Sequence, residues 1–340
     1  MIVSVSGYNY TGSSAIIDLL REYDDIDFVD PEIQALYLPD GLLDLDYHIN
    51  QAPTYYNEDI GVERFWNLCK HTDLPKEYRK EFLQISREYV DSIIEERWNG
   101  VSCFDNTRLS GGAYAVWMCK DFLGSAFFHF FHKAIYLNHR QMYLAHHCEN
   151  FQKKTEAYLA KIEQLFSKGA SILVLNQFFS AFQPERCMKY TPNAKAIIVD
   201  RDPRDVYILG KIKRETACYP ADSAEKFVAY YKQCWGNRSV QTSESVLHLQ
   251  FEDAIYHYEE SVAKVEQFLG IQNHVSPRKY FNPDMSINNT QLKERFPEMK
   301  DEISYIEREL SKYLKLRTFE IATFQLQLKT KNVQAQCVLK

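Results

Sequence analysis

Two short stretches hold the residue types that can do chemistry. The first is Gly7-Tyr8-Asn9-Tyr10-Thr11-Gly12-Ser13-Ser14, where two glycines bracket polar side chains just ahead of an apolar helical pattern. A turn of this kind aims backbone N–H groups at one point, and the dipole of a following helix favours negative charge there. Thr11, Ser13 and Ser14 add hydroxyl donors, so the chemistry on offer is the binding of a phosphate or a similar oxyanion. A serine-rich helix cap without a ligand has the same composition. The Walker A pattern is absent, because Gly12 is followed by Ser13 and not by lysine.

The second stretch is Ile197-Ile198-Val199-Asp200-Arg201-Asp202-Pro203-Arg204-Asp205-Val206, an apolar run that ends in two arginines and three aspartates. Arginine at the end of a buried strand can hold a phosphate through two parallel N–H donors. A solvated turn in which arginine and aspartate pair with each other is the alternative.

Both stretches need elements to carry them. Apolar, β-branched runs occur at Ile2 to Ser6, Ser171 to Leu175, Ala196 to Asp200 and Val246 to Gln250. They are short, apolar on successive positions and far apart, which predicts buried strands of a parallel sheet. Behind the first run, Ile16, Ile17, Leu19, Leu20 and Tyr23 recur at helical spacing, so the first stretch is a strand, turn, helix unit. Behind the last, Val262, Val265, Phe268 and Leu269 predict a covering helix that Gly270 stops. The fold class that follows is α/β, a parallel sheet of four to five strands flanked by helices. In such sheets ligands bind outside the carboxyl ends of the strands, which places both stretches at one crevice. Residues from about 40 to 168 read as a long helical insertion, and 318–340 as a C-terminal extension of a single domain covering 1–317.

Composition narrows the partners. The chain of 340 residues carries 40 basic and 46 acidic residues, a net charge of −6, so no global positive field gathers nucleic acid or anionic membrane. Eight cysteines are scattered with no Cys-x-x-Cys pair, which predicts reduced thiols and no metal site. No run approaches the ~18 apolar residues of a membrane span, and the start, MIVSVSG, is strand-like. A cytoplasmic protein is the expectation. Aromatic residues make up 14% and concentrate mid-chain, either as core or as the lining of a cleft that stacks a sugar or sterol.

Together the two stretches resemble the sulfotransferases that use 3′-phosphoadenosine 5′-phosphosulfate (PAPS), in particular bacterial, carbohydrate-type members. Asn9-Tyr10-Thr11-Gly12-Ser13-Ser14 is similar to that family's Pro-Lys-Ser-Gly-Thr-Thr loop, and residues 201–206 reproduce its Arg-Asp-Pro-Arg-Asp-Val. Leu249-Gln250-Phe251-Glu252-Asp253, followed by Phe268-Leu269-Gly270, is similar to a third landmark. The resemblance spans about residues 2–290. It implies a P-loop-like fold and a sulfuryl transfer from PAPS to an acceptor hydroxyl that needs no metal. Tyr10, Thr11, Gly12, Ser13 and Ser14 would cradle the 5′-phosphosulfate, and Arg201 would bind the 3′-phosphate. Ser286 and Asn289 would belong to a late loop closing over the nucleotide.

The chain departs from the family at two positions. Tyr10 stands where the loop has lysine, and Leu209 where a serine follows the strand-end arginine by eight residues. The lysine steadies charge on the departing phosphate oxygen, so the Tyr10 hydroxyl or a cation from Lys211, Lys213 or Arg214 must replace it. A histidine base is also missing, since Asn176, Gln177 and Phe178 occupy its place. Glycan-modifying relatives put a glutamate shortly after the first helix, where this chain has Glu32. His132, His139, His146 and His147 are a second source of base. The expected acceptor is a carbohydrate or glycolipid hydroxyl, with a sterol or other lipid hydroxyl as the variant. A P-loop kinase and a catalytically silent nucleotide-binding protein are the competing classes, and a homo-oligomer is compatible with all of them.

Overall fold

Ile2, Val3 and Val5 alternate with Ser4 and Ser6, and all five are buried. A strand covered on both faces needs its polar side chains satisfied, and Phe179 does this: its N–H donates to Ser4 Oγ at 2.9 Å and its carbonyl accepts from Ser6 Oγ at 2.8 Å. The computed structural model describes residues 1–314 except 30–31, 34–36, 103–104, 147, 214, 216, 237 and 239–241. The 318–340 extension lies outside the described residues.

Among the described residues there are seven strands: β1 Ile2–Gly7, β2 Ile26–Val29, β3 Glu96–Gly100, β4 Arg140–Leu144, β5 Ile172–Asn176, β6 Lys195–Asp200 and β7 Val246–Gln250. Five form one sheet in the order β2-β5-β1-β6-β7, and every pairing in it is parallel. The architecture is α/β, a parallel sheet flanked by helices, and the four strands predicted from apolar runs are all present. The fifth, β2, was not predicted: Asp27 interrupts its apolar pattern. That carboxylate is used locally, accepting from the amides of Lys168 at 2.5 Å and Ala170 at 3.1 Å.

The chain divides into two compact units, one of Met1–Glu32 with Phe166–Lys340 and one of Ile33–Leu165. In the first, Val3, Val5, Ile197, Val199, Leu247 and Leu249 share a core with the Ser13–Leu20 and Tyr258–Leu269 helices. β1 is central, its Val5 level with Asn176 of β5 and its Gly7 level with Val199 of β6. The turn after Gly7 therefore opens between the carboxyl ends of β5 and β6, where ligands of such sheets bind.

The second unit is largely helical and also holds the antiparallel pair β3–β4. Exposed Glu96, Arg97 and Asn99 around Trp98 hid β3 from a hydrophobic pattern. Buried carboxylates of the Tyr55–His71 helix hold β4 and the residues just after it: Asp59 accepts from Tyr143 N–H at 3.0 Å and from Arg140, and Glu58 accepts from Ala145 N–H at 3.1 Å. Arg140 also reaches Asp105 at 2.8 Å, so a buried charge is compensated on both sides.

Candidate functional site

The turn is built by backbone geometry that few residues tolerate. Asn9, Tyr10 and Gly12 have φ of 69°, 56° and 90°, all left-handed. Asparagine enters this region more readily than most side chains, and glycine enters it at no cost. At Gly12 a second constraint applies, since a Cβ there would come within 2.4 Å of the Phe251 ring. Gly12→Ala is expected to destabilise the fold by about 2–4 kcal/mol, read as a lowered urea midpoint at unchanged slope. A midpoint equal to the parent's would show that the turn relaxes freely.

Side chains fix the turn from both ends. Thr11 is buried, and its Oγ1 accepts from Tyr8 N–H at 3.0 Å. Gln177, just past β5, accepts from Gly7 N–H and donates to Ser13 Oγ, both at 3.3 Å. The amides of Thr11, Gly12, Ser13 and Ser14 have no acceptor among the described residues. These four open amides lie at the start of the Ser13–Leu20 helix. Ser14 is exposed beside them and lines a cavity of about 200 Å³ with Asn176, Val29 and Arg21.

The two arginines of the second stretch behave differently. Arg204 pairs with Asp202 at 2.6 Å and with Glu307 at 2.7 Å, so for it the mutual-pairing alternative holds. Among the described residues Arg201 pairs with no carboxylate. It is 5% exposed, donates from Nη1 to the Tyr10 carbonyl at 2.9 Å and from Nη2 to the Asn289 carbonyl, and lies 4.8 Å from the centre of the Phe251 ring. Arg201 thus joins the turn to the late loop, and its buried Nε has no hydrogen-bond partner among the described residues.

The late loop is anchored independently. Asp205 accepts from the amides of Gln291 at 3.0 Å and Leu292 at 2.9 Å. Burial pushes its carboxyl up to about 6, against the pull of Arg201. Thr290 bonds Tyr256 at 2.6 Å. Asn289 is half-buried and reaches Arg201 through its carbonyl, while Ser286 ends the short Pro283–Ser286 helix four residues after the Asn282 cap. Phe251 and Glu252, within the third landmark, support the site: Phe251 underlies Gly12 and Arg201, and Glu252 accepts from Asp202 N–H at 2.8 Å.

Of the lysine substitutes, Tyr10 turns its hydroxyl to the Lys213 carbonyl at 3.5 Å and packs edge-on to Tyr219. Lys211 is committed to Glu302 and Tyr207. Lys213 holds its ammonium 5.9 Å from the Tyr10 ring. Arg214 lies outside the described residues. Leu209 is buried in the Pro203–Ile212 helix.

The candidate bases separate. Glu32 is exposed three residues past β2, on the carboxyl side of the same sheet as the turn. β5 lies between β2 and β1, so the lateral offset between those strands is about 10 Å. The insertion histidines belong to the other unit. His146 bonds Glu58 at 3.0 Å, His132 closes the Gly111–Phe131 helix, and His147 lies outside the described residues. No cluster of metal-ligating side chains occurs among the described residues. No helix among them is long and apolar enough to cross a membrane.

Comparison with known proteins adds the following. No family model matches the chain. A leucyl/phenylalanyl-tRNA–protein transferase of Akkermansia muciniphila is 27% identical over 124 residues, which cover 32% of this chain and 58% of that protein. The chain thus spans less than two thirds of that relative's length. Among solved structures, the sulfotransferase STF9 from Mycobacterium avium is similar over 94% of this chain and 77% of its own, with a TM-score of 0.36 and 13% identity.

Proposed function

We propose that the turn and Arg201 form the donor site of a sulfotransferase that uses PAPS, with an acceptor hydroxyl on a carbohydrate or glycolipid. The observation that carries this reading is the set of unpartnered donors: four amides of residues 11–14 and the buried Nε of Arg201, on two stretches tied together by Arg201 itself. A buried N–H without an acceptor costs about 1–3 kcal/mol, and a bound oxyanion removes that cost. The residues fit an anionic nucleotide, with Thr11, Gly12, Ser13 and Ser14 holding one phosphate and Arg201 another.

PAPS, when bound, supplies an activated sulfuryl group and leaves as adenosine 3′,5′-bisphosphate. The chain's own residues must orient and neutralise. The turn amides face the charge that builds on the leaving side, and Lys213 adds a positive charge beside Tyr10. Glu32 takes the proton from the acceptor hydroxyl at its carboxylate. Ser286 and Asn289 belong to the loop that Arg201 and Asp205 hold at the site.

The test is transfer of labelled sulfate from PAPS to a panel of saccharides in the presence of a chelator. Labelled saccharide without metal is the expected result. Magnesium-dependent phosphoryl transfer from ATP, with no sulfate transfer, would replace this reading with a kinase.

A further inference from the structure

The Gly111–Phe131 helix presents an apolar face to solvent. Its inner side is covered: Gly124 is buried, and a Cβ there would lie 2.5 Å from the Ile135 carbonyl, while Asn138 Nδ2 donates to the Trp117 carbonyl at 3.2 Å. The helix's charged residues other than histidine, Lys120 and Asp121, line a cavity of about 300 Å³ against segment 134–138 on that inner side. The outer side carries no Lys, Arg, Asp or Glu and is mostly exposed, with Ala126 half-buried. Val116, Leu123 and Phe130 are 56%, 58% and 75% exposed, and Cys119 is exposed between them.

The spacing of these residues is that of a helix-pairing seam. Val116, Leu123 and Phe130 recur every seven residues, and so do Gly112, Cys119 and Ala126. One set is large, the other small, and at 100° per residue they alternate along a single stripe. The pattern is also symmetric about residue 121, the midpoint of the helix. When a second copy is laid antiparallel with the two-fold axis at that midpoint, Val116 meets Ala126, Cys119 meets Leu123, and Gly112 meets Phe130. Each layer then sets one large side chain against one small, as close packing requires. A parallel pair in register would set large on large and small on small.

We propose that this outer face is the seam of a homodimer in which two copies of the helix pack antiparallel about residue 121. The interface is isologous, so a single surface serves both partners and the assembly closes at two. A helix of 21 residues is about 31 Å long, and two packed along that length bury on the order of 1,200 Å² in all, the lower end of specific interfaces. The dimer is therefore expected to be reversible.

Sedimentation velocity of the full chain under reducing conditions, across about 1–100 μM, tests this. The wild type should approach twice the monomer mass at the top of the range. Leu123→Asp with Phe130→Asp, both at exposed positions, should remain monomeric with an unchanged melting curve. Cys119→Leu alone should weaken the dimer at least tenfold by setting leucine on leucine. Cys119→Leu with Leu123→Ala restores a large residue opposite a small one and should recover it. A wild type that is monomeric throughout overturns the proposal, as does dimerisation indifferent to the aspartates. Failure of the double variant to recover overturns the antiparallel register. Monomers that instead co-sediment with phosphatidylcholine vesicles would assign the face to a lipid surface.

Discussion

Arg201→Ala should lose at least about 30-fold in affinity for adenosine 3′,5′-bisphosphate, equivalent to about 2 kcal/mol for a charged hydrogen-bonding group. Two effects combine at this residue. In the proposed donor site its unpartnered Nε would donate to the nucleotide, and its terminal nitrogens hold the Tyr10 and Asn289 carbonyls that set the turn against the late loop. Arg201→Lys separates charge from geometry. Lysine keeps the charge but lacks the planar fork needed to reach two carbonyls and still donate to a ligand. Its affinity should fall nearly as far, with a melting temperature nearer the parent's. Calorimetric titration of both variants decides the matter, and parental affinity in both would remove Arg201 from the site.

Glu32→Gln should lower turnover at least about 100-fold, the scale of general-base catalysis, while leaving bisphosphate affinity unchanged. The carboxamide keeps the size of the side chain and cannot accept the acceptor's proton. Glu32 is exposed, so the exchange leaves the core packing untouched, and a melting curve of the variant separates lost activity from lost stability. A single-turnover assay at saturating PAPS checks it. Parental turnover would pass the role of base to another residue.

The parts legible in the sequence were those in which one local signal dominates. Ile2 to Ser6 and Ala196 to Asp200 are short apolar runs, and such runs become buried parallel strands wherever they pair. The turn was legible because Gly7, Gly12 and the serines must sit between a strand and a helix. What stayed hidden depends on distant partners. Nothing near Gln177 announces that it bridges Gly7 and Ser13, since 170 positions separate it from Gly7. The different fates of Arg201 and Arg204 rest on which acceptors the fold brings within reach, Asn289 for one and Glu307 for the other. β2 was missed because Asp27 breaks its apolar pattern, and the β3–β4 pair because Glu96, Arg97, Asn99, Arg140 and Gln141 interrupt theirs.

The opposed outcomes for Lys211 and Lys213 make the same point. Two cations two residues apart look equivalent in the sequence, yet Lys211, inside the Pro203–Ile212 helix, reaches Glu302 while Lys213, just past its end, lies over the Tyr10 ring.

The most direct measurement is the thermal melt of the wild-type protein with adenosine 3′,5′-bisphosphate, ATP, GTP or adenosine 5′-monophosphate at equal concentration. A ligand that binds only the folded state raises the melting temperature according to its own affinity. The bisphosphate should give the largest rise, and adenosine 5′-monophosphate, which lacks the 3′-phosphate, a much smaller one. Stabilisation by ATP or GTP with none by the bisphosphate would contradict the assignment of this site to PAPS.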